Sequence, residues 1–302
     1  MKKLFFIFFL FLLFVIFDFY YQIFTPINNF PINKTFYVEK GETGEIILNN
    51  LEKNGFIKSA FYGKILNKFI AMNYKNGEYF FDYNASTFQV LQAINVRQNV
   101  YKITIPEGYT KFQIADKLDN LNLQKFSKQD FLENADEGYL FPDTYFFEST
   151  DDAKTILNKL ENNFKKKVNN QFGRDLTFEE IILASILERE ARDENDMKMV
   201  AGILKNRLAK NMPLQVDATV LYGQGAWKER LYFKDLNHES SYNTYQNTGL
   251  PIGPISNPGI NALDAAVNFT KNNYLYYLTG SDGVMHYAKT FDEHVNNRKY
   301  LR

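Results

Sequence analysis

Hydrophobic positions in this chain follow two unlike patterns, one continuous and one periodic. The continuous pattern comes first: Met1-Lys2-Lys3 precedes uninterrupted apolar residues from Leu4 to Phe17, then Asp18, then Phe19, Tyr20, Tyr21, Ile23 and Phe24. With Asp18 at headgroup level, Leu4 to Phe24 makes about 21 residues, enough to span a bilayer. Phe19-Tyr20-Tyr21 would form an interfacial aromatic belt, with Lys2 and Lys3 on the cytoplasmic side. A cleaved signal peptide is the alternative, but no small-x-small cleavage site follows the run. Either reading leaves the rest of the chain outside the cytoplasm.

Residues 25–33 (TPINNFPIN) carry prolines and asparagines and read as a linker. The periodic pattern then begins. TFYVEKG predicts a strand, and ETGEIILNNLEKNGF a helix closing at Gly55. SAFYGKILNKFIAM predicts a second helix, with Phe61, Ile65, Phe69 and Met72 at helical spacing. GEYFFDY opens another strand and TFQVLQAINV another helix, completing a small α+β module. YKITIPEGYT is an alternating strand, followed by the helix KFQIADKLDNL and a short helix with Ser127 as N-cap. EGYLFPDTYFF (137–147) is too dense in aromatics for a linker; it is packed core or a substrate-facing wall. DDAKTILNKLENNFKKKVNNQF is an amphipathic helix leading to the central stretch, 177–223.

That stretch opens on a capping box, Thr177 with Glu180. Ile181 to Leu187 are apolar almost all round, so the helix should be buried. Glu188 falls into this run with Ile181, Ala184, Ser185, Ala191 and Arg192 as its helical neighbours. These are mostly small, which leaves room for something to approach. The structural alternative is an i, i+4 ion pair between Glu188 and Arg192. Glu190 lies about 160° away, between Leu183, Ile186 and Leu187. Beyond Gly223, residues 231–259 form a long polar loop ending in glycines and prolines, of a length that is usually functional or disordered. Within it, Tyr242-Asn243-Thr244-Tyr245 offers hydroxyls and an amide suited to a polyol or amide substrate. A helix (INALDAAVNF), a hairpin across Gly280–Gly283 and a closing helix finish the chain.

Composition narrows the chemistry. The 302 residues include 35 basic and 35 acidic ones, so no net charge favours nucleic acid. Cysteine is absent, which removes disulfides, thiolate nucleophiles and sulfur-bound zinc. The three histidines (His238, His286, His294) lack zincin spacing, and neither a P-loop nor a G-x-S-x-G elbow occurs. Carboxylate chemistry remains, with Glu188, Glu190, Asp193, Asp217 and Asp235 near the centre. A two-carboxylate glycosidase needs its acids about 5 to 9.5 Å apart. Asp217 is the partner best placed in sequence, and turn capping is its equal alternative.

LASILEREA, NRLAKNMPLQVDATVLYG, SYNTYQNTGLPIGPISNPG and the ending with His286, Thr290 and His294 resemble the MltG/YceG family, membrane-anchored endolytic murein transglycosylases. EGYLFPDTY resembles that family's aromatic-proline segment. Departures are Pro251-Ile252 in place of two prolines, the absence of a proline near Phe269, and a shortened Gly225-Ala226-Trp227-Lys228 at the groove edge. The resemblance implies an α+β fold: a transmembrane anchor (1–24), a linker and LysM-like module (25–98), and a larger catalytic domain (99–302). It implies cleavage of the MurNAc–GlcNAc β-1,4 bond without water, leaving 1,6-anhydro-MurNAc ends and terminating strand elongation. Glu188 matches the family's single catalytic glutamate. Gln215, Asp217, Tyr242, Asn243, Thr244 and Tyr245 would line the sugar groove or hold the glutamate. No metal, nucleotide or other cofactor is implied. The partners implied are glycan strands, the inner (cytoplasmic) membrane through the N-terminal helix and, at family level, peptidoglycan synthases, with the catalytic domain in the periplasm. Two rivals stand beside this reading: a muramidase using water, with Asp217 as base, and a non-catalytic peptidoglycan-binding protein relying on the LysM-like module.

Overall fold

The computed structural model describes residues 2–95, 100–225 and 231–301, without the side chain of Lys2. The chain divides into two units: residues 1–102 with 146–149, and residues 103–145 with 150–302.

The first unit begins with α1 (Lys2–Phe24), followed by β1 (Lys34–Val38), α2 (Gly44–Lys53), α3 (Ala60–Phe69), β2 (Gly77–Phe81) and α4 (Thr87–Asn95). Among the described residues, α1 is the helix long and apolar enough to cross a membrane. Its side chains from Leu4 to Phe17 have no protein around them. β1 and β2 pair antiparallel, Phe36 opposite Tyr79. Alternation along both strands turns Phe36, Val38, Tyr79 and Phe81 inward, onto Ile47, Leu48 and Leu51 of α2 and Val90, Leu91 and Ile94 of α4. Gly63 lets α3 approach α2: a Cβ there would stand 2.8 Å from a Leu48 methyl.

Three features go beyond or against the sequence reading. The segment expected to be a linker is packed, with Ile27 and Phe30 buried and Phe30 edge-on to both Phe56 and Phe81, at 5.7 Å each. The end of α1 belongs to the same core, because Ile23 is fully buried. The Phe61–Ile65–Phe69 stripe on α3, whose face its spacing left open, turns outward. Ala60, Gly63 and Leu66 form its buried face, while Phe61 is 64% and Phe69 80% exposed. Residues 96–98, the end of the expected module, lie outside the described residues.

The second unit is mostly helical. After β3 (Val100–Thr104) come α5 (Lys111–Asp119), α6 (Lys128–Asn134), β4 (Thr144–Glu148) and α7 (Ala153–Phe172). Then follow α8 (Phe178–Glu190), α9 (Glu194–Ala209), α10 (Asp217–Gly223), α11 (Ile260–Val267), β5 (Tyr276–Thr279), β6 (Met285–Ala288) and α12 (Phe291–Asn297). The chain passes between the units within β3 and β4, which pair with each other. β5 and β6 form an antiparallel hairpin. The fold is therefore α+β with small two-stranded sheets. The 137–147 segment is packing: Leu140, Phe141, Tyr145 and Phe147 are buried.

α8 is the axis of this unit. Its capping box forms as expected, with the Glu180 N–H donating to Thr177 Oγ1 (3.2 Å) and the Thr177 N–H to Glu180 Oε2 (2.8 Å). Every residue from Ile181 to Leu187 is buried, against α9 and α11. The helix stops at Glu190, and Ala191 is extended (φ −139°, ψ 153°). Arg192 is thus off the helix, and the i, i+4 pairing with Glu188 does not arise.

Candidate active site

The last turn of α8 presents Glu188, Arg189 and Glu190, all half-buried. Their surroundings differ because the loop before α11 packs along one side of the helix only. Ser185, fully buried in α8, accepts the Ile255 N–H at 3.0 Å, and Ser256 Oγ donates to the Ser185 carbonyl at 3.0 Å. These bonds carry the loop to Gly259, whose N–H donates to Glu188 Oε2 at 2.9 Å. A Cβ at Gly259 would run into the Glu107 carboxyl group, which would have to shift. Gly108, at φ +73°, closes the niche: a Cβ there would stand 3.4 Å from both Glu188 Cγ and Arg189 Nη1. Burial pushes the Glu188 carboxyl up to about 7; the Gly259 N–H pulls it down and Glu107 pushes it up.

Glu190 faces the other way, into a pocket of about 400 Å³. The walls come from five separate stretches: Arg207 on α9, Leu214 to Asp217 entering α10, Tyr245, Tyr276 to Thr279 on β5, and Phe291 with His294 on α12. Tyr277 donates to Glu190 Oε2 at 2.7 Å. Tyr245 donates to Asp217 Oδ1 at 2.5 Å. Each carboxylate in the pocket is thus held by one tyrosine. Burial raises the Glu190 pKa; the Tyr277 hydroxyl lowers it, and the Asp217 charge raises it. Arg207 is buried and anchors the floor, donating to the Leu214 carbonyl at 2.6 Å and to Gln215 Oε1 at 3.4 Å. Gln215 holds a left-handed backbone (φ +53°), unusual outside glycine, and its N–H donates to the Thr244 carbonyl at 3.1 Å.

The residues expected to line a sugar groove therefore separate into three groups. Gln215, Asp217 and Tyr245 share the pocket with Glu190. Asn243 and Thr244 have no surface to offer. Asn243 Nδ2 donates to the Leu236 and His238 carbonyls (3.0 and 2.8 Å), and its Oδ1 accepts the Tyr245 N–H (3.0 Å). Thr244 Oγ1 accepts the Val216 N–H at 3.0 Å. Together they fix Tyr245 and the strand of chain leading to Asp217. Tyr242 lies elsewhere, packed edge-on to Tyr222 at 4.8 Å. Asp217 is the first residue of α10 rather than a turn cap. The Ala226–Lys228 part of the expected groove edge lies outside the described residues.

One functional-looking group escaped the sequence reading. Glu137 accepts from the Lys111 N–H (2.9 Å), Tyr222 Oη (2.9 Å) and Asn257 Nδ2 (2.6 Å). Burial pushes it up to about 7, against these donors. Asn257 in turn accepts the Gly138 and Leu140 N–H groups, both at 2.9 Å. This polar knot fastens the aromatic 137–147 segment to the loop that holds Glu188. The only signal in the sequence was an acid heading a run of core aromatics.

The fold and the pocket define a class first: an α+β protein presenting tyrosine-held carboxylates in an open polar pocket. Residues 36–300 match the YceG-like family, and the chain belongs to that family. It is 32% identical to the endolytic murein transglycosylase of Bacillus subtilis, over 87% of this chain and 84% of that protein. It is 27% identical to the endolytic murein transglycosylase of Streptococcus pneumoniae D39, over 87% of this chain but 57% of that longer protein. The crystal structure of a YceG-like protein from Listeria monocytogenes, 31% identical, superposes with a TM-score of 0.58 over 87% of this chain and 98% of that one.

Proposed function

We propose that this chain is an endolytic murein transglycosylase, anchored by α1 in the cytoplasmic membrane with both units outside the cytoplasm. Family membership and the names of its relatives support the activity. The observation that carries the site assignment is the pocket around Glu190. A general acid must reach the glycosidic oxygen, and room for a sugar lies beside Glu190 rather than in the backbone-walled niche of Glu188.

The reaction needs one carboxyl group used twice. Glu190, whose ionisation is opposed by burial and by the neighbouring Asp217 charge, donates a proton to the oxygen linking MurNAc C1 to GlcNAc C4. The C1–O bond breaks, and the GlcNAc leaves with a free 4-hydroxyl. The resulting carboxylate takes the proton of the C6 hydroxyl of the same MurNAc, whose oxygen closes on C1 to give the 1,6-anhydro sugar. Asp217 and its Tyr245 partner stabilise positive charge at C1, and Gln215 offers its amide to an N-acetyl group. The substrate's own hydroxyl is the nucleophile, so the second carboxylate of a hydrolase is not required. Cleavage within strands close to the membrane would terminate their elongation.

A second reading keeps Glu188 as the acid. Burial pushes its carboxyl up to about 7, the direction a general acid needs, and it matches the residue assigned from the family motif. In the first unit, the order β1-α2-α3-β2 with an antiparallel strand pair supports the LysM-like reading. Contact with peptidoglycan synthases is a family-level expectation. The reaction is tested by mass spectrometry of ends released from purified glycan strands by the full chain. Anhydro-MurNAc ends support the transglycosylase; reducing MurNAc ends would make it a muramidase, with Asp217 as its base; binding without cleavage would leave a binding protein.

A further inference from the structure

We infer that the outward face of α3 is a membrane-surface element, lying in the headgroup region of the bilayer that α1 crosses. The inference rests on reading α1 as membrane-spanning. Phe61, Ile65 and Phe69 are spaced by four and share one helix face; Ile70, extended just past the helix end, is 46% exposed. Among the described residues Phe61 and Phe69 stay 64% and 80% exposed, and two exposed phenylalanines on one helix are a costly surface in water. The opposite face of α3 is already occupied by the module core, so the helix cannot turn the stripe inward.

Contacts with α1 fix where this face lies. The Tyr62 hydroxyl donates to the Asp18 carboxylate, and the Phe19 and Tyr62 rings stand 6.1 Å apart. Lys58, just before α3, donates to the Tyr21 carbonyl at 3.0 Å and to Thr25 Oγ1, with its ammonium 4.0 Å from the centre of the Tyr21 ring. Asp18 is where the continuous apolar run stops, which is the level of the lipid headgroups if α1 spans. α3 therefore starts at that level, beside the exposed Tyr20 and Tyr21 of the aromatic belt. An aromatic face with a lysine alongside (Lys68; Lys64 is paired with Glu45 at 2.6 Å) is the composition of a helix that lies in the interface and meets anionic headgroups. Ile23 is buried in the module, so the anchor and module move as one piece and the stripe is held at the surface.

Tryptophan quenching by brominated lipid tests this with the full chain. The chain, carrying Trp227→Phe, is placed in phosphatidylcholine–phosphatidylglycerol vesicles brominated near the headgroup or near the bilayer centre. Phe61→Trp and Phe69→Trp change exposed positions; Tyr37→Trp, on β1 and 63% exposed, is the control away from lipid, and Phe11→Trp reports on the anchor. Marked loss of emission from Phe61→Trp and Phe69→Trp with shallow bromines, from Phe11→Trp with deep ones, and from Tyr37→Trp with neither is the expected result. Quenching of Phe11→Trp alone would overturn the surface assignment and leave the anchor standing. No quenching of Phe11→Trp would sink the anchor reading itself. Blue-shifted but unquenched emission at Phe61 and Phe69 would give the stripe to a second copy of the chain, and quenching of Tyr37→Trp as well would mean non-specific adsorption; both overturn the proposal.

Discussion

Two glutamates, two residues apart on one helix, show how differently the same side chain is used on the two sides of α8. Glu188 and Glu190 are both half-buried, and burial raises both carboxyls above their ordinary range. On the Glu188 side the 254–259 loop is bonded to the helix, and the carboxylate receives a backbone N–H in a niche closed by two glycines. On the Glu190 side the neighbouring loop residues Gln215 and Tyr245 line a pocket instead of bonding to the helix end. The carboxylate there receives a tyrosine hydroxyl and faces open volume shared with Asp217, Tyr245 and Gln215. A raised pKa accompanies both sites, so it does not distinguish them. Space for a substrate does.

The most severe test of that contrast is Glu190→Gln, which keeps the shape and removes the proton. Turnover is expected to fall about 10²- to 10⁴-fold, the usual contribution of a general acid. Next come two substitutions that should move the pH–rate profile in opposite directions. The acid must be protonated, so activity is lost as pH rises through its pKa. Tyr277→Phe removes a bond that favours ionised Glu190, which raises its pKa and moves the alkaline limb to higher pH. Asp217→Asn removes a charge that opposes ionisation, so the limb moves to lower pH, with turnover down on the order of tenfold. A structural role for either residue would lower activity without these opposed shifts.

Smaller effects sharpen the same picture. Asn243→Ala removes three part-buried hydrogen bonds, at a cost of about 0.5–1.5 kcal/mol each. It should lower Tm while the folded fraction keeps its KM, because Asn243 frames the pocket without touching sugar. Glu188→Gln is expected to reduce turnover by only about threefold or less, within the range of a small positional change. The buried Glu137 predicts a stability effect rather than a catalytic one. Its folded pKa of about 7 lies above the ordinary 4.5, so its contribution is present at low pH and lost as pH rises through 7. Tm should fall between about pH 4.5 and pH 7 and level off above that, and Glu137→Gln should flatten part of the slope, to which Glu188 also contributes.

Much of the fold was legible because its signals are local. The Thr177–Glu180 box, the apolar run after it and the alternation in β1 and β2 each act within a few residues, and each formed as read. The surroundings of the two glutamates were not legible, for a physical reason. The small flank Ala184–Ser185 looked like room for a substrate, but in the fold that room is taken by Ile255 and Ser256, some seventy residues on. The Glu190 flank looked closed by Leu183, Ile186 and Leu187. Its pocket is walled by α9, α10, β5 and α12, whose convergence no helical angle encodes. Likewise β4 was hidden inside an aromatic-dense segment whose burial outweighs its alternation. The stripe on α3 had helical period but gave no sign of its face, since periodicity cannot tell a core from a membrane surface.

The deciding measurement is the chemistry of glycan ends left by the full chain, by Glu188→Gln and by Glu190→Gln, compared at equal folded concentration. Anhydro-MurNAc ends from the unaltered chain and from Glu188→Gln, with none from Glu190→Gln, are expected. Anhydro ends from Glu190→Gln and none from Glu188→Gln would contradict the pocket assignment and return the acid to the other side of the helix.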